Sequence, residues 1–381
     1  MAEYLTNTAD LTAVADAIRA KGGTAAQLVY PDGFVSAIQA IQTGAPLQIV
    51  VTTSAGATVT ATKGSKTVSG TADTSGNCTL IVPETGTWSV SATLGEQMSV
   101  QKTVIVGSSA VTLSFVSSTL NNNEWSVIKS VSDAGQGENY WSIGDRKEVT
   151  LDGTVGHLSL SNYTTYAYII GFNHNASVEG TNRIHFQLAK TALSGGTDVC
   201  FCDNQYGPDN GYPSPGAGYF VMNASETNSG GWKSSQMRTN ICGTSLSSYS
   251  GTIISVIPAA LRAVLKPVTK YTDNTANGGG STASYVTATT DYFFLLSEFE
   301  VFGSISYGNT NEKKKQAQYA YYSAGNSKIK YKHNGTTTAA YWWLRSPRAS
   351  DSDIFVDVYT GGTVNNYSAN FSLGFAPGFC V

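Results

Sequence analysis

The side chains of this 381-residue sequence that could do covalent or metal chemistry are few and irregularly spaced. Five cysteines stand at positions 78, 200, 202, 242 and 380. An odd count without a regular interval argues against a disulfide framework. Cys200-Phe201-Cys202 is too tight for a zinc knuckle, whose paired ligands have about two to four residues between them. The five therefore read as small buried hydrophobes. Cys200 and Cys202 would form a redox pair only if the fold brought a substrate groove to them. His157, His174, His185 and His333 sit in no recognisable motif. A hydrolase needs a nucleophile, a base and an orienting group, and Gly-x-Ser-x-Gly is absent. His185, in Arg-Ile-His-Phe, reads as a structural strand residue. Pro208-Asp209-Asn210 and Asp351-Ser352-Asp353 could offer oxygens to a cation, but two or three loop carboxylates are common by chance. The expectation is a protein that is not an enzyme, with no cofactor and metal-independent recognition.

A different chemistry is concentrated at the C-terminus. Tyr341-Trp342-Trp343-Leu344-Arg345-Ser346-Pro347 reads as an aromatic strand ending in a turn. Adjacent Trp residues on a strand point to opposite faces, so Trp342 and Trp343 serve two layers, with Arg345 and Pro347 completing the scaffold. The 34 residues after Pro347 contain no Lys, Glu, Gln, Met or Trp. Those are the five amino acids that no pyrimidine-ending codon encodes. What remains is the vocabulary of a paratope: rigid aromatic anchors with adaptable small polar residues between them. The candidate contact positions are Arg348, Ser350, Asp351, Ser352, Asp353, Phe355, Asp357 and Tyr359, then Asn365, Asn366, Tyr367, Ser368, Asn370, Phe371 and Leu373. Their alternation with Ala349, Val356, Val358 and Ala369 predicts strands with one face out and one in.

Such a face needs a rigid scaffold, and the bulk composition is consistent with one that works outside cells. Charged residues make up 13% of the chain, while Gly (39) and Tyr (21) are abundant. The net charge is −3 and the pI near 5.8. Lys313-Lys314-Lys315 is short and follows Glu312, so nucleic acid is not an expected partner. The N-terminus shows neither a basic n-region nor an apolar h-region, and no stretch is long enough to span a bilayer. A virion reconciles an outward-looking composition with the lack of an export signal; non-classical export or a trimmed chain would do so too.

Three modules are expected, in a β-rich α+β chain. Residues 1–44 read as a helical hairpin, with Leu11, Val14, Ala15 and Ile18 on one face, Asp10 as N-cap and Gly22-Gly23 as the stop. Pro31 opens a second helix with Phe34, Val35, Ile38 and Ile41 as its apolar face. Two short helices cannot fold alone, so they dock on a neighbouring domain, on another copy or on another protein. Residues 46–116 carry short alternating runs (Gln48–Thr53, Thr58–Thr62, Thr79–Val82, Thr87–Ala92, Lys102–Val106). These runs are separated by turns such as Ser75-Gly76-Asn77 and Glu84-Thr85-Gly86, with Trp88 central. This pattern predicts a small Ig-like β-sandwich serving as a spacer or accessory binding module. Ser117–Asn123 reads as a polar linker. Residues 124–381 form one irregular α+β unit, with strands at Tyr166–Phe172 and Arg183–Leu188 and helices at Ser234–Arg238 and Pro258–Leu265.

Two resemblances add to this reading. Leu11-Thr12, Ala17-Ile18-Arg19, Lys21-Gly22-Gly23 and Tyr30-Pro31-Asp32-Gly33-Phe34-Val35 resemble a short N-terminal module of phage tail proteins, which implies attachment to tail structure. Residues 124–381 resemble the variable proteins of diversity-generating retroelements, the group that includes phage major tropism determinants. The matching residues include Trp125, Ile143-Gly144-Asp145, Ile169-Ile170-Gly171-Phe172-Asn173-His174, Gly231-Trp232-Lys233-Ser234-Ser235, Phe294-Leu295-Leu296-Ser297-Glu298 and Glu300-Val301-Phe302-Gly303. Trp342-Trp343-Leu344-Arg345-Ser346-Pro347 is the most specific of them. The resemblance implies a C-type lectin-like domain whose segment of about 348–375 is rewritten by error-prone reverse transcription. It also implies a receptor-binding role on a phage tail, acting at the host surface on a cell-surface protein or glycan. A homotrimer is expected from the threefold symmetry of tail adhesins. Such proteins usually close with Gly-Val-Arg-Pro; here Phe375 and Ala376 replace Val and Arg, which leaves the packing of the last strand open. The alternatives are a non-diversified structural tail protein or cell-surface adhesin and, on the same fold, a formylglycine-generating-type oxidase. The oxidase would need a second Cys near Cys380.

Overall fold

The computed structural model describes residues 8–22, 27–40, 46–95 and 97–381. The chain is a β-rich α+β protein that divides into two compact units, residues 1–95 with 101–113 and residues 96–100 with 114–381.

In the first unit, helices Thr8–Gly22 and Asp32–Ala40 pack through Ala15, Ile18 and Phe34. Asp10 lies in the first turn of its helix rather than at the cap. Gly23 and Ile41 fall outside the described residues. Of the expected apolar faces, Val14, Val35 and Ile38 are about half exposed (49%, 51% and 53%), so the hairpin buries only part of its apolar surface. The strands that follow form two sheets. Gln48–Thr52 lies between Asn77–Ile81 and Val111–Thr112. Thr58–Lys63 lies between Lys66–Thr71 and Thr87–Leu94, and the latter pairs with Lys102–Ile105. Alternation puts Ile49, Val51, Val59, Ala61, Trp88 and Val90 inside, each at most 1% exposed. Gly76 (φ +80°) and Gly86 (φ +102°) supply the backbone turns that other residues resist. Lys66–Thr71 was not expected as a strand, because both of its faces are largely exposed and it carries no apolar alternation.

The unit expected to run to 116 ends at 113. Gln97–Ser99 and Phe115–Val116 pair with each other inside the second unit. Residues 117–123 are no free linker. Leu120 is buried in the large core, and Asn123 exchanges hydrogen bonds with the Ser117 backbone at 2.8 and 2.9 Å.

The second unit is built on a five-stranded antiparallel sheet. Its strands are β1 (Arg146–Val155), β2 (Leu158–Phe172), β3 (Ile184–Lys190), β4 (Phe293–Phe294) and β8 (Gly378–Cys380), in the order β1-β2-β3-β8-β4. β3 is buried along its whole length, so His185 and Gln187, which alternate with Ile184, Phe186 and Leu188, are as buried as their apolar neighbours. The closing strand β8 is an inner strand. Phe379 stacks on Phe186 with ring centroids 5.3 Å apart, and Trp125 of helix Trp125–Asp133 meets both rings edge-on. Phe375 and Ala376 are fully buried, and Phe375 exchanges two backbone hydrogen bonds with Phe201. The last segment is thus packed without an arginine of its own.

A second sheet, the antiparallel meander β5 (Trp342–Pro347), β6 (Ile354–Val358) and β7 (Val364–Ser368), carries the C-terminal candidate residues. The expected helices near 234 and 258 form as shorter pieces. They are Gly231–Ser234 followed by a wider-wound turn Met237–Cys242, and Ala259–Arg262 with Pro258 at its cap. Among the described residues, no helix is long and apolar enough to cross a membrane.

Candidate functional site

Both tryptophans of β5 are buried. The Trp342 indole donates to the Lys328 carbonyl and the Trp343 indole to the Phe220 carbonyl, each at 2.9 Å, so the pair ties the meander to two different layers. Arg345 is fully buried. Its guanidinium forks onto Glu300, with Nη2 2.8 Å from Oε1, and its Nε donates to Thr272. Lys270 Nζ lies 3.0 Å from Glu300 Oε1 and 2.6 Å from Glu179 Oε2. Burial works to raise the Glu300 carboxyl, but Arg345 and Lys270 overcome it and hold the group well below its ordinary range. Burial raises Glu179 to about 7 against the pull of Lys270, and it lowers His174 to about 3. Donor atoms of His174, Glu179 and Glu300 lie within 4.8 Å of one another, in the manner of a metal site. The Lys270 ammonium already supplies the positive charge between the two carboxylates, so this cluster is a buried ion network that sets the seat of β5.

Neither Cys200 with Cys202 nor Cys380 with His185 opens to solvent. The Cys200 and Cys202 sulfurs are 4.0 Å apart, and Cys380 Sγ is 3.3 Å from His185 Nδ1; all four residues are buried. Two surface cavities, of about 360 and 560 Å³, are lined by residues that include Ser118, Asp145, Arg146 and Leu193, and Asp198, Ile329, Tyr331 and Thr337, with no cysteine in either. Of the oxygen-rich turns, Asp209 pairs with Lys332, and Asp351 lies 2.7 Å from Arg348.

Much of the segment after Pro347 is held through its backbone carbonyls. Asn228, fully buried, directs its side-chain NH2 at the carbonyls of Asp351 (2.8 Å), Ile354 (3.0 Å) and Arg348 (3.2 Å). Its own N–H donates to the Ser352 carbonyl, and the Asn277 N–H donates to its Oδ1. The Ala349, Ala369 and Ser372 carbonyls accept from the N–H groups of Gly280, Asn223 and Gly207 at 2.7–2.9 Å. Asp203 accepts from the Phe220 N–H and the Ser372 hydroxyl. Further backbone hydrogen bonds tie Ala349 to Tyr307, Gly374 to Tyr341 and Trp343, and Phe375 to Phe201, so these anchors too lie outside the segment.

The candidate contact positions divide by burial. Ser350, Ser352 and Tyr359 are exposed, while Arg348, Asp351, Asp353, Asn365, Asn366, Tyr367, Ser368 and Phe371 are partly so. Phe355, Asp357 and Leu373 are fully buried and Asn370 is nearly so, which removes these four as direct contacts in this conformation. The expected inward residues Ala349, Val356, Val358 and Ala369 are indeed buried. The one-face-out pattern fails because β6 is the middle strand of the meander and is covered on both faces.

Several partly exposed side chains meet partners that sequence reasoning did not single out. Tyr367 stacks on Tyr212 at 4.9 Å with their hydroxyls 2.8 Å apart. Tyr341 meets Tyr359 and Tyr367 edge-on at 5.2 and 5.3 Å, and Phe371 lies 5.2 Å from Tyr212. Asn370 donates to Ser214, and Ser368 to Glu226. The candidate face therefore includes the 206–226 loop. Nothing local in Gly-Tyr-Pro marks Tyr212, and only the tertiary fold brings it to the face.

Residues 219–381 match the family model described as Domain of unknown function (DUF6273). No curated protein matches the chain.

Proposed function

We propose that this chain is a tropism-determining receptor-binding protein of a phage tail and that it binds a host cell-surface protein or glycan through residues 348–375. In this reading residues 124–381 are a C-type lectin-like domain, residues 46–113 an Ig-like spacer, and the helical hairpin an anchor to other tail proteins. The chain acts as a homotrimer at the host surface, with no enzymatic activity. The observation that carries the proposal is the anchoring of the 348–375 backbone by outside residues, Asn228 above all. A segment held by its carbonyls tolerates changes of side chain that a segment held by its own side chains would not. The exposed apolar residues of the hairpin support a module that is completed by partners.

The test is a set of chains with Ser350, Ser352, Tyr359 and Asn366 replaced together by other small polar or aromatic residues. The reading expects unchanged thermal stability and virion assembly with altered attachment to host cells. A non-diversified structural tail protein would instead keep attachment or lose assembly.

A further inference from the structure

The larger of the two surface cavities, about 560 Å³, lies outside the 348–375 segment. It is built on a small sheet in which Lys330–Lys332 pairs with Val199–Cys200 on one side and with Gly335–Ala340 on the other. Side chains alternate along a strand, so Lys330 and its two neighbours point to opposite sides. Lys330 is buried, with Nζ 2.8 Å from the Tyr168 hydroxyl, and this turns Ile329 and Tyr331 outward as a wall of the cavity. Thr336 and Thr337, both exposed on the edge strand, line it together with Thr197, Asp198 and Ser327. The wall is also fixed to the candidate face. The Trp342 indole holds the Lys328 carbonyl at 2.9 Å. The turn between β6 and β7 rests directly on Ile329, because a Cβ on Gly362 would come within 3.1 Å of the Ile329 Cγ1.

The lining carries no uncompensated charge. Asp198 pairs with Lys190 and accepts from the Tyr321 hydroxyl at 3.2 Å. The lysines of the adjoining strand are committed elsewhere: Lys328 lies over the Phe302 ring at 5.7 Å, Lys330 binds Tyr168, and Lys332 pairs with Asp209. A charged ligand would have to break one of these pairings to find a partner. What the cavity offers instead is hydroxyl groups. Among the described residues, those of Thr197, Thr336 and Thr337 form no hydrogen bond within the chain. Ser327 Oγ accepts from the Ile329 N–H at 3.1 Å and keeps its own proton to donate. A hydroxyl both donates and accepts, so a cluster of them suits a ligand that does both at neighbouring atoms. The apolar wall beside them completes the usual mixture of a small-molecule site, whose volume is about 300–1,000 Å³.

We infer that this cavity is a binding site for a short neutral saccharide. Hydroxyls of the sugar exchange hydrogen bonds with Thr197, Ser327, Thr336 and Thr337, and its C–H face packs on Ile329 and Tyr331. The site goes beyond the reading of residues 348–375 as the attachment surface: it uses none of those side chains, and a change of sequence there leaves it in place.

The full-length chain is titrated by calorimetry with neutral disaccharides of glucose, galactose, mannose, rhamnose and N-acetylglucosamine, and with glucuronate and glucosamine as charged counterparts. Saturable binding of a neutral disaccharide at millimolar concentration is expected, with the charged sugars weaker by about threefold or more. Thr337→Arg places a long cation in the cavity from an exposed position, and it should weaken binding by about tenfold or more at an unchanged melting temperature. Thr336→Val with Thr337→Val keeps the shape and removes two hydroxyls, which should weaken binding by about fivefold or more. No saturation by any neutral disaccharide, a preference for a charged sugar, or unchanged binding by either variant would overturn the inference. The chain with Ser350, Ser352, Tyr359 and Asn366 replaced should bind the saccharide as the parent does. Saccharide binding lost in that chain and kept in the threonine variants would defeat the cavity and place the sugar on the candidate face. Host attachment unchanged in that chain, with saccharide binding lost only in the threonine variants, would leave the cavity standing and defeat the candidate face.

Discussion

Arg345 shows how one side chain can set the place of a surface. Its guanidinium, Glu300, Lys270 and Glu179 form a buried network with two charges of each sign beneath β5. Replacing Arg345 with Met leaves Glu300 with Lys270 alone, and a cost of about 3–5 kcal/mol is expected in denaturant unfolding. Glu312, also buried, accepts hydrogen bonds from the Asp273 N–H and the Ser346 hydroxyl, and burial raises it to about 7. A carboxyl with a folded pKa above its unfolded value near 4.5 favours the protonated folded chain. Its contribution is therefore full below pH 4.5 and is lost as the pH rises through about 7. Glu312→Gln should lose that dependence, so the stability difference between parent and variant must fall as pH rises from 4.5 to 7. Equilibrium unfolding across that range reads it, and the buried histidines, common to both chains, cancel. Phe355 and Leu373 make a second contrast. Truncation of Phe355 to Ala should cost about 3–5 kcal/mol, whereas Ser350→Ala or Ser352→Ala should change stability by less than about 0.5 kcal/mol.

At the scale of elements, what could be read in advance was whatever repeats locally. Gln48–Thr52, Thr58–Lys63 and Thr87–Leu94 were legible because one face of each is buried and the other is not. β3 was legible from the alternation of Ile184, Phe186 and Leu188 with His185 and Gln187, and β5 from its aromatic start at Trp342-Trp343. Phe355 and Asp357 were misjudged because the second covering layer of β6 comes from residues far away in sequence, and no periodicity announces a strand covered on both sides. Tyr212 and Asn228 escaped for the same reason: each acts on the 341–371 face across more than a hundred residues of chain. Asn228→Ala removes the amide that collects three carbonyls of the 348–354 turn. Leaving those acceptors less satisfied should cost about 1–3 kcal/mol. Amide hydrogen exchange should quicken at residues 348–354 and stay unchanged in β1 and β2; exchange that rises everywhere would mean a global rather than a local role.

For the whole molecule, the proposal divides the labour among anchor, spacer and binding unit, and its parts fail separately. The half-exposed Val14, Val35 and Ile38 predict that the hairpin is completed by other copies, so multi-angle light scattering at micromolar concentration should report a trimer. Deleting residues 1–44 should lower that mass, and a stable monomer from the full chain would remove the trimer. The central claim is that a rigid scaffold presents a segment whose side chains are free to change. Deep sequencing of the gene across a propagated phage or host population tests it most directly. The account predicts substitutions concentrated after Pro347 at adenine-derived positions, with Tyr341–Pro347 and the Asn228 anchor unchanged. A uniform sequence, or changes spread evenly across residues 124–381, would contradict it.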